Sequence, residues 1–148
     1  MKRLVLATLV LLTFSVQAQN FKQRNSSFLS LQQAINPMTD AQVLEQGRKL
    51  VLDFYAVKLE GLFELFTPDL QVRTGGLEAF RTYRLNGIEA YGQELEVLEE
   101  EVLIRENLKG YIRTAVFEKR PNLVWYVICA FDETGAVAYF NIEFVGSR

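Results

Sequence analysis

The chain of 148 residues has no histidine, one cysteine and one tryptophan. Without histidine there is no His-based catalytic triad, no imidazole zinc ligand and no use of the commonest general base. Acid–base chemistry would fall to carboxylates, tyrosines and lysines. A lone cysteine, Cys129, allows no internal disulfide. Within "VWYVICAF" it reads as a small buried hydrophobe rather than a nucleophile. Positive charge is also in short supply, with 16 Lys and Arg against 18 Asp and Glu. Outside the first residues the adjacent basic pairs are Arg48–Lys49 and Lys119–Arg120, a helix face and a turn. Such a chain has no basic stripe to offer nucleic acid or an anionic membrane.

Long apolar runs are absent save one. Lys2 and Arg3 precede "LVLATLVLLTFSV", Leu4 to Val16, which has the length of a signal-peptide core. It is too short to cross about 30 Å of hydrocarbon comfortably. "VQA" then supplies a cleavage site ending at Ala18, and no cysteine follows that would make a bacterial lipoprotein. The expectation is a secreted or periplasmic protein that begins at Gln19 and has no membrane contact after cleavage. Residues 1–18 are the leader in this reading. Residues 19–38 form a polar linker, with one short helix around Phe28, Leu31 and Ile35 ended by Pro37. Residues 39–148 form a single domain.

Three helices are expected. Thr39 or Asp40 caps the first, which runs to about Lys58 and buries Val43, Gly47, Leu50, Phe54 and Val57. "EGLFELF" is a short second helix that Pro68 stops. Gly75–Gly76 introduce the third, "LEAFRTYRLNGIEAY". Past Gly92 the period changes from 3.6 to 2. "ELEVLEEEVLIRE" alternates with a slip of phase, which predicts a bulge near Leu98 to Glu100. Turns are expected at Lys109–Gly110, Pro121–Asn122 and Glu133–Gly135. The result is α+β, with three N-terminal helices packed on one face of a bent four-stranded antiparallel sheet.

Two features call for explanation. At about 100° per residue, Leu77, Phe80, Ile88 and Tyr91 share one stripe of the third helix, and Arg84 lies within it. A buried arginine needs a partner. An internal carboxylate such as Glu143 or Glu101, an anionic ligand, and an escape of the guanidinium to water are the alternatives. The second feature is "LVWYVICAF", apolar in both phases. Helices cover one sheet face, so Val124, Tyr126 and Ile128 are interface candidates on the other, with a second copy as the simplest cover. "EEE", Glu99 to Glu101, reads as solvated edge charge and not as a cation loop. No residue pattern calls for a metal or a cofactor.

"FYAVKLEGLFELFTPDLQV", together with "GGLEAF", "YGQELEVLEEEV", "YIRTAVFEK" and "FDETGAVAYF", resembles the nuclear-transport-factor-2-like superfamily over about residues 40 to 145. The last four stretches look more closely like a bacterial branch of unknown function, whose members are exported alone or precede serine-hydrolase domains. The resemblance implies a cone with a pocket between the concave sheet face and the helices. Its ligand-binding candidates here are Arg84, Tyr111, Arg113, Trp125, Tyr139, Asn141 and Glu143. The superfamily includes ketosteroid isomerase, whose catalytic tyrosine and aspartate align near Leu50 and Thr74. Neither residue can do that work. Scytalone dehydratase depends on histidine, which is absent. The expected role is a non-catalytic exported module that binds a small apolar or anionic ligand, associates with protein, or does both. An isomerase or hydrolase using a pocket carboxylate or tyrosine, and an accessory domain docking on a separate hydrolase, are the alternatives.

Overall fold

The computed structural model describes residues 37–148. The leader expected at 1–18, and the expected linker through residue 36, lie outside the described residues. Thr39 caps α1 (Asp40–Tyr55) with a reciprocal pair of bonds. Its hydroxyl accepts from the Gln42 backbone N–H at 3.2 Å, and the Gln42 side chain accepts from the Thr39 N–H at 2.8 Å. Val43, Gly47, Leu50, Val51 and Phe54 are buried. The helix ends short of Lys58 because Val57 takes φ 60°, a left-handed conformation that halts it.

Pro68 does not stop the next segment. Instead α2 (Leu59–Glu64) is followed by an additional helix, α3 (Pro68–Arg73), which the proline opens. Proline suits a first turn because its missing N–H would have had no helical partner there, and the Thr67 hydroxyl caps Leu70 N at 3.3 Å. Helix α4 (Leu77–Tyr91) follows Gly76, whose φ of 91° is open to glycine and costly for other residues. It buries Phe80 and Arg84, with Leu77, Ile88 and Tyr91 half-buried beside them.

Four strands complete an α+β fold: β1 (Glu94–Arg105), β2 (Leu108–Phe117), β3 (Arg120–Phe131) and β4 (Val137–Ser147). They pair antiparallel in the order β1-β2-β3-β4, so the sheet is open and β1 and β4 are its edges. The predicted irregularity in β1 falls between Val97 and Glu99, and a second lies between Glu94 and Glu96. Two turns come earlier than the sequence suggests. Arg105 pairs with Leu108 across Glu106–Asn107, and Phe117 pairs with Arg120 across Glu118–Lys119. Gly110 is instead inside β2, where a Cβ would lie 3.4 Å from that of Ala130. A glycine in a strand can mark close packing as well as a turn. The third hairpin is where expected, with the Asp132 carboxylate accepting from Thr134 N and Ala136 N.

The core joins Leu50, Phe54, Leu62 and Phe80 of the helices to Tyr111, Ala115, Val127 and Cys129 of the sheet. Helix α1 comes so near β2 that a Cβ on Gly47 would lie 2.3 Å from the Tyr111 Cβ. This face of the sheet is called the inner face below.

Candidate functional site

Arg84 is 2% exposed, and it has no carboxylate partner among the described residues. Its Nε donates to Phe54 O at 3.0 Å, and its Nη2 donates to Tyr55 O and to Gln93 Oε1, each at 3.1 Å. Phe54 and Tyr55 end α1, so the guanidinium meets helix-end carbonyls, of which Phe54 O also accepts from Val57 N at 3.2 Å. A positive charge there also complements the negative end of the helix dipole. The guanidinium carbon stands 5.1 Å from the Phe54 ring centre and 5.2 Å from that of Tyr55. Burial lowers the pKa of Arg84, opposed by the nearby Tyr55 and Tyr83 hydroxyls. The expected partners are elsewhere: Glu101 is exposed on β1, and Glu143 lies on the outer face.

Arg84 also borders a cavity of about 390 Å³ between α4 and the inner sheet face. Phe54, Tyr83, Tyr91, Phe117, Trp125 and Ile142 supply most of its wall, and Asn86, Gly87 and Ala90 the rest. A guanidinium carries five N–H donors. Those on Nε and Nη2 are occupied, whereas Nη1 has no partner among the described residues and lies 4.0 Å from where a Gly87 Cβ would be. Trp125 faces the same cavity from β3, with its ring 4.8 Å from Tyr91 and 5.4 Å from Phe144. Its indole Nε1 is buried and has no hydrogen-bond partner. Burial also raises the pKa of the Tyr83 hydroxyl, which keeps it protonated at neutral pH.

Tyr111 and Arg113 point inward, as the alternation of β2 suggests, but they do not line this cavity. Arg113 grips Glu94 through Nε at 2.8 Å and Nη2 at 2.6 Å, and its Nη1 donates to Glu100 at 2.7 Å. The Tyr111 hydroxyl donates to Glu100, Tyr55 donates to Glu94 at 2.9 Å, and Arg48 closes the network with 2.6 Å to Glu100. Hydrogen bonding to Glu94 raises the pKa of Arg113. Burial, then the bond to Glu100, pushes Tyr111 up to about 12. Arg48, acting first through its hydrogen bond, holds Glu100 down at about 2. Glu100 is therefore not a solvated edge charge. It ties α1 and β1 to β2, while Glu99 and Glu101 beside it are exposed.

Tyr139, Asn141 and Glu143 are not in the inner cavity either. Their alternation with Val137 suggested an inward phase, but the register shifts between Phe131, which pairs with Val137, and Ala130, which pairs with Tyr139. Val137 stays in the core, and Tyr139, Asn141 and Glu143 turn outward while Phe140 and Ile142 face inward. There the Tyr139 hydroxyl donates to Glu143 Oε1 at 2.6 Å, and Asn141 Nδ2 donates to both, each at 3.1 Å. Burial first, then Glu143, raises the Tyr139 pKa. Tyr139 and Glu143 border a groove of about 500 Å³ that also takes in Ile112, Tyr126 and Ile128. Of the interface candidates, Tyr126 and Ile128 line that groove and Val124 is half-buried.

Burial raises the Cys129 thiol's pKa, so it carries no thiolate nucleophile at neutral pH. The Thr74 hydroxyl donates to Leu70 O and Gln71 O, a helix-end role and not that of a base. Among the described residues no group of three or more His, Cys, Asp or Glu is placed to hold a metal. Nor is any described helix long and apolar enough to cross a membrane. Compared with protein families, curated proteins and solved structures, the chain matches none. The functional argument therefore rests on the geometry.

The sequence singled out Arg84 and Trp125 but not the rest of the wall. Tyr83, Asn86, Gly87 and Ala90 sit on the side of α4 flanking Arg84, and their signal was their nearness to a charge inside an apolar stripe.

Proposed function

We propose that this chain is an exported, non-catalytic module with the cone-shaped architecture of the nuclear-transport-factor-2-like superfamily, and that it holds a small molecule between α4 and the inner sheet face. One observation carries the reading: a cavity of ligand size is bordered by a buried arginine with no carboxylate partner among the described residues. No carboxylate lines that cavity, which supports holding a molecule over acid–base turnover. Native mass spectrometry of the protein recovered from an extracytoplasmic fraction tests this. A chain beginning at Gln19 with a stoichiometric small-molecule adduct is expected. A cytosolic chain retaining Met1, or a mature protein that binds nothing from a metabolite extract, refutes it.

The outer face supports association with a second copy as a further role. Tyr126, Ile128 and Ile112 line the groove there, together with Leu103, Leu108 and Ala130. Tyr126→Glu should turn a dimer into a monomer in light scattering. A wild-type protein that stays monomeric at high concentration removes this role.

A further inference from the structure

The wall of the inner cavity is apolar except at a few points, and two of these are donors without acceptors. Trp125 presents an indole N–H that is buried and unpaired. Arg84 presents Nη1, beside Gly87, after its other nitrogens have been taken by Phe54, Tyr55 and Gln93. Of the two, the indole N–H is the buried donor without a partner among the described residues, and such a donor is normally satisfied by a protein atom, a water or a ligand. All the acceptors that Arg84 has are neutral, and no described carboxylate lies within ion-pair distance of it. The charge at this wall is thus unbalanced. A cationic ligand would be repelled, and a purely apolar one would leave both donors unmet. An anion answers both conditions. Of the common anionic groups, a carboxylate has two oxygens to divide between two donors, and it keeps to the single positive charge available.

Resting on the reading of this cavity as a ligand site, we infer that its ligand is an apolar molecule with one carboxylate, one oxygen taking Arg84 Nη1 and the other Trp125 Nε1. The apolar body lies among Phe54, Tyr83, Tyr91, Phe117 and Ile142. Arg84 is already fixed by two hydrogen bonds at the end of α1 and one to Gln93, so its remaining donors are preorganised and little rotamer freedom is lost when they engage. Gly87 leaves space beside Nη1, where a larger residue would stand between the guanidinium and the ligand.

Trp125 is the sole tryptophan, so its fluorescence reports on this wall directly. The probes are the alkanoates from hexanoate to dodecanoate and phenylbutyrate, each against its primary amide. At least one acid should bind saturably, change the Trp125 emission and bind about tenfold more tightly than its amide, the scale of one charge-assisted hydrogen bond. By calorimetry, Trp125→Phe keeps the ring but loses the donor, and should weaken the acid about tenfold while leaving the amide within a few-fold. Gly87→Leu should keep the fold and abolish binding of both. Amides that bind as tightly as the acids, or acids that bind unchanged in Trp125→Phe, overturn the carboxylate inference and leave the cavity as a ligand site. If no probe of either kind binds the wild-type protein, both the inference and the reading beneath it fail.

Discussion

Replacing Arg84 with methionine separates what the structure shows from what a buried arginine usually suggests. If Arg84 were half of an ion pair, an apolar residue of similar length would cost little, because matched buried pairs seldom outdo good packing. Here the partners are carbonyls. Phe54 O also accepts from Val57 N at 3.2 Å, so it keeps a donor when the guanidinium goes. Tyr55 O loses its donor in a half-buried position, whereas Gln93 is exposed and its amide can turn to water. A buried acceptor left without a donor costs about 1–3 kcal/mol, and the helix end also loses a favourable charge. Relief of the arginine's own burial, visible in its lowered pKa, returns part of this. Arg84→Met should therefore destabilise by about 1–2 kcal/mol. In urea the midpoint should fall with the slope unchanged. Arg84→Lys should sit between the two, since an ammonium cannot reproduce the planar fork. Combining Arg84→Met with Glu143→Gln should be additive to about 0.5 kcal/mol, because the two residues share no partner. A methionine variant as stable as wild type, or strong coupling to Glu143, would refute the capping role.

Gly47→Ala should destabilise by about 1–3 kcal/mol despite alanine's better helix propensity, because its Cβ would lie 2.3 Å from Tyr111 atoms. Gly87→Ala meets nothing nearer than Arg84 Nη1 at 4.0 Å and should stabilise by about 0.5–1 kcal/mol. Thermal melts of the two variants, moving in opposite directions, check both. Glu100 is held at about 2, below its unfolded value, so its contribution is full above about pH 5 and is lost as pH falls through about 2. Glu100→Gln should cost about 1–3 kcal/mol at pH 7 and nothing near pH 2. A gap between wild type and variant that does not change with pH from 7 to 2 would contradict this.

Much of the fold could be read from periodicity. The stripe of α1, the change from a period of 3.6 to 2 after Gly92 and the phase slip in β1 all correspond to observed elements. The errors share a cause: a residue with two structural uses was read for the commoner one. Pro68 opens a helix where it was expected to close one. Gly110 lies within a strand, and the turns fall to Glu106–Asn107 and Glu118–Lys119, which carry no glycine or proline.

The site divides along the same line. Alternation placed Tyr111, Arg113 and Trp125 on the inner face, since β2 and most of β3 are regular enough for a period of 2 to persist. It misplaced Tyr139, Asn141 and Glu143 because the register shift at Val137 reverses the phase, and nothing in "GAVAYFNIEF" announces it. Arg84 was conspicuous in the sequence because a charge in an apolar stripe breaks the pattern. Its partners were not legible, since they are main-chain carbonyls and every residue but the last carries one. A search for a complementary side chain passes over such acceptors. The same limit hid the chemistry of the cavity. Once α1 has claimed Nε and Nη2, the nitrogen left over and the unpaired indole N–H define what the wall can receive, and both facts depend on which hydrogen bonds are already made.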